Sequence, residues 1–162
     1  MSLSERIVRR FLAVEHPFVC WYRVLTSKEG RNTIVSTVVA LKFTPESPVE
    51  KRTWAGKPCE FYVYPNGFFE HVKAACSEAA RKAKTLVGDL KVSARMDEKF
   101  ERYATADVEE IRRFDNYINF FWIDVDVPLA KGQKKQVEDT TAKLLALSTE
   151  FSHLMALEVK KQ

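Results

Sequence analysis

The chain of 162 residues is 46% hydrophobic and 30% charged, and its formal net charge is +4. These proportions are those of a globular protein, so they exclude an intrinsically disordered chain. The longest apolar run lies around residues 120–123 and is far shorter than the roughly 20 residues of a membrane helix, which excludes a helical membrane protein. The length predicts a single globular domain over residues 1–162.

The three cysteines, Cys20, Cys59 and Cys76, are an odd set without close spacing. A disulfide framework or a zinc site needs cysteines in pairs, so the sequence predicts reduced, buried thiols and no bound cofactor. Reduced thiols are typical of an intracellular protein, and we favour the cytoplasm over an organelle.

The first predicted elements are a helix and a hairpin. Apolar residues recur at helical spacing over residues 3–15, which predicts an N-terminal helix that ends before Pro17. Residues 18–26 and 31–43 are rich in β-branched and aromatic side chains, and the polar connection between them predicts an antiparallel hairpin. One alternating face of the second strand is expected to face the core. This face consists of Thr33, Val35, Thr37, Val39, Leu41 and Phe43.

Residues 44–58 contain three prolines and a glycine, which predicts an irregular segment. The segment is also basic, because Trp54 lies between Lys51-Arg52 and Lys57. An aromatic side chain flanked by cations can stack on a base or on a partner side chain. It can equally fold the loop back onto the domain, and the sequence leaves both alternatives open.

Residues 59–64 are predicted to form a third strand, and a helix capped by Asn66 is predicted to extend to Gly88. The apolar stripe of this helix is rich in alanine, so the helix can pack closely on a sheet. Its outer face carries Lys73, Ser77, Arg81 and Lys84.

The rest of the chain predicts a strand at 90–95, a short amphipathic helix within 97–113, a strand at 117–128 and a long helix from residue 133 to the end. We therefore expect an α+β fold. A mostly antiparallel sheet of about five strands would pack against the N-terminal helix, the central Ala-rich helix and the long C-terminal helix.

The strand at 117–128 is apolar on both faces, which predicts a central position in the sheet. Strict alternation along this strand would put Ile118, Phe120 and Trp122 on the same face as Asp124 and Asp126. Two carboxylates on one face of a strand can share a divalent cation and hold it against phosphate oxygens.

The segment 120–126 resembles the first catalytic motif of the archaeo-eukaryotic primase superfamily, in which a hydrophobic strand ends in Asp-x-Asp. The resemblance covers about a dozen residues. It implies a metal-dependent phosphoryl- or nucleotidyl-transfer enzyme in which Asp124 and Asp126 bind Mg²⁺ or Mn²⁺. The family also carries a Ser-x-His strand and a further acidic strand downstream. This chain departs from that pattern, because Ser152 and His153 are adjacent and lie in the predicted last helix.

Charge is unevenly distributed, since residues 51–95 hold nine Lys/Arg and four Asp/Glu. A basic region beside an aromatic-rich antiparallel sheet favours a non-catalytic domain that contacts single-stranded nucleic acid or an RNA/DNA-protein assembly. The predicted nucleic-acid contacts are Lys51, Arg52, Trp54, Lys57, Arg81 and Lys84.

Two alternatives belong to other classes. The first is a protein-interaction subunit of a homo- or hetero-oligomeric complex, because the last helix carries apolar residues on more than one side near its end. The second is the metal enzyme, which predicts that replacing Asp124 and Asp126 by Asn removes Mn²⁺ binding. The sequence contains no Gly-rich phosphate loop, no His-x-x-x-His and no Gly-x-Ser-x-Gly, so binding is favoured over catalysis.

Overall fold

The structure is a computed structural model, and it describes residues 16, 18–43, 49–100 and 117–160, with only the backbone of residues 54, 59 and 156–160. The elements in chain order are β1 (Val19–Glu29), β2 (Asn32–Lys42), β3 (Val49–Trp54), β4 (Lys57–Tyr62), α1 (Phe68–Val87), β5 (Lys91–Met96), β6 (Tyr117–Val127) and α2 (Gln133–Lys160). The predicted helix at 3–15 lies outside the described residues, as does most of the short helix predicted within 97–113.

The α+β class and the antiparallel pairing are confirmed. Strands β1, β2, β6 and β5 form one sheet in that order, and every pair is antiparallel. Strand β6 is internal in this sheet, as predicted. Among the described residues the main sheet has four strands rather than the expected five or so, because the third predicted strand pairs in a separate hairpin.

The predicted irregular segment at 44–58 is wrong for residues 49–58, which belong to a separate two-stranded hairpin. Strand β3 pairs with β4 from Val49 opposite Tyr62 to Trp54 opposite Lys57. Ala55 and Gly56 both have positive φ, 52° and 77°, which suits the tight turn of a two-residue hairpin loop. The prolines misled the prediction, because an isolated two-stranded sheet tolerates a residue without an N–H.

A β-bulge in β6 changes which side chains share a face. Val39 of β2 is opposite Phe121 and Ala40 is opposite Asn119, so Phe120 is the extra residue. A bulge shifts the alternation by one position. As a result Ile118 and Phe120 are buried with Phe121, Ile123, Val125 and Val127. The prediction that Ile118 and Phe120 share the face of Asp124 is therefore wrong.

The buried side chains of the sheet define its inner face, and both helices pack there. All six residues predicted for the core face of the second strand, Thr33 to Phe43, are buried. On α2, Phe151 contacts Trp21 of β1 with ring centroids 5.6 Å apart. The helix α1 begins after Gly67 rather than Asn66 and ends at Gly88, whose φ is 65°. No helix in the described part of the chain is long and apolar enough to cross a membrane.

An aromatic cluster attaches the β3–β4 hairpin to the main sheet. Phe43, just after β2, lies 4.3 Å from Tyr62 between ring centroids. Phe18, just before β1, lies 4.8 Å from Tyr64, and Tyr64 stacks on Phe68 at 5.0 Å. The hairpin therefore joins the sheet at the end where β1 begins and β2 ends.

Candidate functional site

The outer face of the main sheet is the side opposite the two helices. Its side chains are half-buried or exposed, apart from Val38 and Ala40, which are buried. The outer face of the sheet therefore carries polar and aromatic side chains that are not part of the buried core. The polar and aromatic side chains of this face include Tyr22, Arg23, Ser36, Ser93, Arg95, Tyr117, Trp122, Asp124 and Asp126.

One row of residues crosses all four strands on the outer face. Arg23 of β1 is opposite Val38 of β2, Val38 is opposite Trp122 of β6, and Trp122 is opposite Arg95 of β5. Neighbouring strands lie about 4.8 Å apart, so the two arginine Cα atoms are about 14 Å apart. We call these four residues the arginine row, because a cationic side chain stands at each end.

Each arginine of this row lies against an aromatic ring. The guanidinium carbon of Arg95 is 3.8 Å from the centroid of the Trp122 ring. The guanidinium carbon of Arg23 is 5.3 Å from the Tyr22 ring, and the Tyr22 and Tyr117 rings are 4.6 Å apart. A guanidinium over an aromatic ring is a planar cation, which can stack on another planar group and bind an anion at its edge.

Asp124 and Asp126 lie on this outer face, as their spacing predicts. Asp124 is between Ser36 and Ser93 in the sheet register, and Asp126 is between Ile34 and Lys91. The Asn32 side-chain amide donates a hydrogen bond of 2.9 Å to Oδ1 of Asp126. The two carboxylates are therefore neighbours on a half-buried polar surface.

A complete metal site does not assemble from the residues that the structure describes, because none of them form a group of three or more His, Cys, Asp or Glu side chains. Ser152 and His153 both lie in α2, where the Ser152 hydroxyl donates to the Ser148 carbonyl oxygen at 3.1 Å. Metal binding by Asp124 and Asp126 stays a prediction.

The basic residues predicted from the sequence fall on two elements. Lys51, Arg52 and Lys57 are exposed on the β3–β4 hairpin, and only the backbone of Trp54 is described. Arg52 donates a hydrogen bond of 3.1 Å to Glu50. This partner raises the pKa of the Arg52 guanidinium and offsets part of the hairpin's positive charge.

Arg81 and Lys84 are exposed on α1 and therefore belong to the helix layer, across the sheet from the arginine row. Nε of Arg81 donates to a carboxylate oxygen of Glu78 at 3.0 Å. That ion pair lowers the pKa of Glu78. The six predicted contacts thus occupy the hairpin and the helix layer, while the arginine row of the outer face was missed.

Sequence reasoning missed the row because its members are far apart in the chain. Only the strand register brings them side by side, and the register includes bulges at Tyr22 and Phe120. The sequence did contain one indication of this face. Lys91, Ser93 and Arg95 alternate along β5, which indicates that one face of this strand is solvated.

A second surface feature is an apolar groove of about 390 Å³ between α1 and α2. Its walls include Ala75 and Ala79 of α1 and Leu147, Phe151 and Leu154 of α2. Lys82 and Glu150 form an ion pair of 3.1 Å that joins the two helices. Leu154 is 37% exposed at this groove.

Comparison of the chain with protein-family models, with curated proteins and with solved structures found no match.

Proposed function

We propose that this protein is a non-catalytic domain that binds single-stranded nucleic acid, alone or within an RNA- or DNA-protein assembly. The observation that carries the proposal is the arginine row, with the Arg95 guanidinium carbon 3.8 Å from the centroid of the Trp122 ring on an antiparallel sheet. The same row contains a second arginine, Arg23, at its other end.

Single-stranded nucleic acid offers the two groups that this row can bind. Every base has a π-face, and stacking on an aromatic side chain contributes about 1–3 kcal/mol per base. Bases also stack on guanidinium planes, and the N–H fork of arginine matches phosphate oxygens. A row of about 14 Å has room for a few bases, and four-stranded sheets in RNA-binding modules stack two or three.

The exposed cations of the β3–β4 hairpin are proposed as further contacts. Lys51, Arg52 and Lys57 are exposed, and the hairpin base lies at the end of the sheet where β1 begins. We assign them contacts with phosphates, which add affinity without base selectivity. Trp54 is proposed as a stacking residue of the same hairpin. Arg81 and Lys84 are assigned only a long-range electrostatic role, because α1 lies in the helix layer.

The test is fluorescence anisotropy with labelled single-stranded DNA and RNA of about 12 nucleotides, titrated at about 50 mM and about 200 mM salt. We expect binding at the lower salt concentration and clear weakening at the higher one, because phosphate contacts release counterions. Trp122→Ala should weaken binding about tenfold, while Trp122→Phe retains a ring and most of the affinity.

Matched charge variants locate the site. Arg95→Ala, Lys84→Ala and Lys143→Ala each remove one positive charge, from the outer face, from α1 and from the exposed side of α2 respectively. We expect Arg95→Ala to weaken binding more than either lysine variant. Absence of binding by the unmodified protein at about 50 mM salt would refute the proposed function. Equal effects of the three variants would refute the outer face as the site.

The groove between α1 and α2 favours one alternative, a subunit of a homo- or hetero-oligomeric complex. An apolar groove with a half-exposed leucine at its edge is a surface on which a partner can bury area. Sedimentation of the protein at increasing concentration measures self-association, and Leu154→Glu should abolish it. A monomer at every concentration would argue against a homo-oligomer.

A further inference from the structure

Asp124 is the next outer-face residue after Trp122 along β6. Two positions on a strand correspond to about 7 Å between Cα atoms. Its neighbours in the register are Ser36 of β2 and Ser93 of β5, both small. A base stacked over Trp122, or over the guanidinium of Arg95, would therefore bring one of its edges toward the Asp124 carboxylate.

Asp126 is placed less well to contact the same base. It lies two residues further from Trp122 along the strand, and its Oδ1 already accepts a hydrogen bond from Asn32. Lys91 is its register neighbour on β5. Of the two carboxylates on β6, Asp124 is thus the one nearer to Trp122 along the strand, and Trp122 is the register partner of Arg95.

A carboxylate on a nucleic-acid surface has two physical effects. Its charge repels phosphates, so the backbone of a bound strand should follow the arginines rather than the middle of the sheet. An ionised carboxylate also accepts hydrogen bonds and cannot donate them. It therefore favours a base edge that offers an amino group and disfavours an edge that offers a carbonyl oxygen.

We infer that Asp124 makes the outer face select bases that carry an exocyclic amino group, with cytosine preferred over thymine or uracil. The cytosine N4 amino group donates to a carboxylate, whereas thymine presents the O4 acceptor at the equivalent position. This inference rests on the proposed function and specifies the class of base that the same site binds.

The test compares oligo(dC) and oligo(dT) of equal length by competition in the anisotropy assay. The two probes carry the same number of phosphates and pyrimidine rings, so their electrostatic attraction is matched. We expect the unmodified protein to bind oligo(dC) roughly tenfold more tightly, as a hydrogen bond to a charged group would give. Asp124→Asn should reduce the preference to about twofold or less, since an amide both donates and accepts.

Asp139→Asn is the matched control, because it removes one negative charge from an exposed position of α2. It should leave the preference for oligo(dC) unchanged. Asp124→Ser is a second variant at the site, and its binding of oligo(dT) verifies that the sheet is folded. Equal binding of both probes by the unmodified protein would overturn the inference and leave the proposed function standing. A preference that survives in both Asp124 variants would also overturn it. Failure to bind either probe would refute the proposed function itself.

Discussion

His16 is a buried histidine that caps the start of β1, and it makes the stability of this protein depend on pH. Its Nδ1 accepts hydrogen bonds from the backbone N–H groups of Phe18 and Val19, at 3.0 and 3.1 Å. Its ring stacks on Phe68 with centroids 5.8 Å apart. A protonated Nδ1 cannot accept either bond, so the arrangement requires the neutral imidazole.

Burial lowers the pKa of His16 from 6.5 to about 4, with smaller contributions from the charges of His71 and Lys42. Well above pH 6.5 the histidine is neutral in both the folded and the unfolded chain, so it adds no pH dependence there. As the pH falls from 6.5 towards 4, the unfolded chain binds the proton and the folded chain does not. The free energy of unfolding therefore decreases through this window. The loss amounts to about 2.5 kcal/mol between about pH 7.5 and about pH 4.5.

Urea denaturation at a series of pH values measures this loss, and His16→Asn is the matched control. Asparagine retains an acceptor oxygen near the position of Nδ1 but does not titrate. Subtracting the free energy of unfolding of the variant from that of the unmodified protein cancels the contributions of carboxylates and of the other histidines. We expect this difference to fall by about 2.5 kcal/mol as the pH is lowered over that range. A difference that stays constant with pH would refute the buried, neutral state of His16.

Two further predictions concern buried polar groups. The Thr37 hydroxyl is fully buried and has no hydrogen-bond partner among the residues that the structure describes, so Thr37→Val should raise the free energy of unfolding by about 1 kcal/mol in thermal or urea denaturation. Thr33 is the matched control because it accepts a hydrogen bond of 2.9 Å from Lys28, and a similar gain in Thr33→Val would contradict this explanation. Burial raises the pKa of the Cys76 thiol well above its usual range, so a variant with Cys20 and Cys59 replaced by serine should react with a thiol reagent only after unfolding. Stoichiometric labelling of that variant in its native state would contradict the buried position.

Local sequence patterns determined the elements with long, uninterrupted periodicity. The alternation from Thr33 to Phe43 identified the buried face of β2, because side chains on a regular strand point to opposite sides in turn. The helix α1 was found from its apolar stripe and from Gly88, which adopts the positive φ of a helix end. The internal position of β6 was also predicted, although the bulge at Phe120 leaves only the inner face of this strand apolar.

Local patterns were misleading where one residue changed the geometry or where prolines interrupted a strand. At Phe120 a bulge reversed the alternation, so Ile118 and Phe120 turned into the core while Asp124 stayed outside. In the β3–β4 hairpin, Pro58 is accommodated opposite Thr53, although a proline usually argues against a strand. Both features depend on the partner strand, which a local pattern does not contain.

The sequence by itself determined the class of fold and the core face of the regular elements. Only the tertiary structure decided which cations and rings stand next to one another. Arg23, Val38, Arg95 and Trp122 are distributed over one hundred positions of the chain, and the register of three strand pairs makes them one row. The physical reason is that hydrogen bonding between strands aligns residues by their distance across the sheet and not by their distance along the chain.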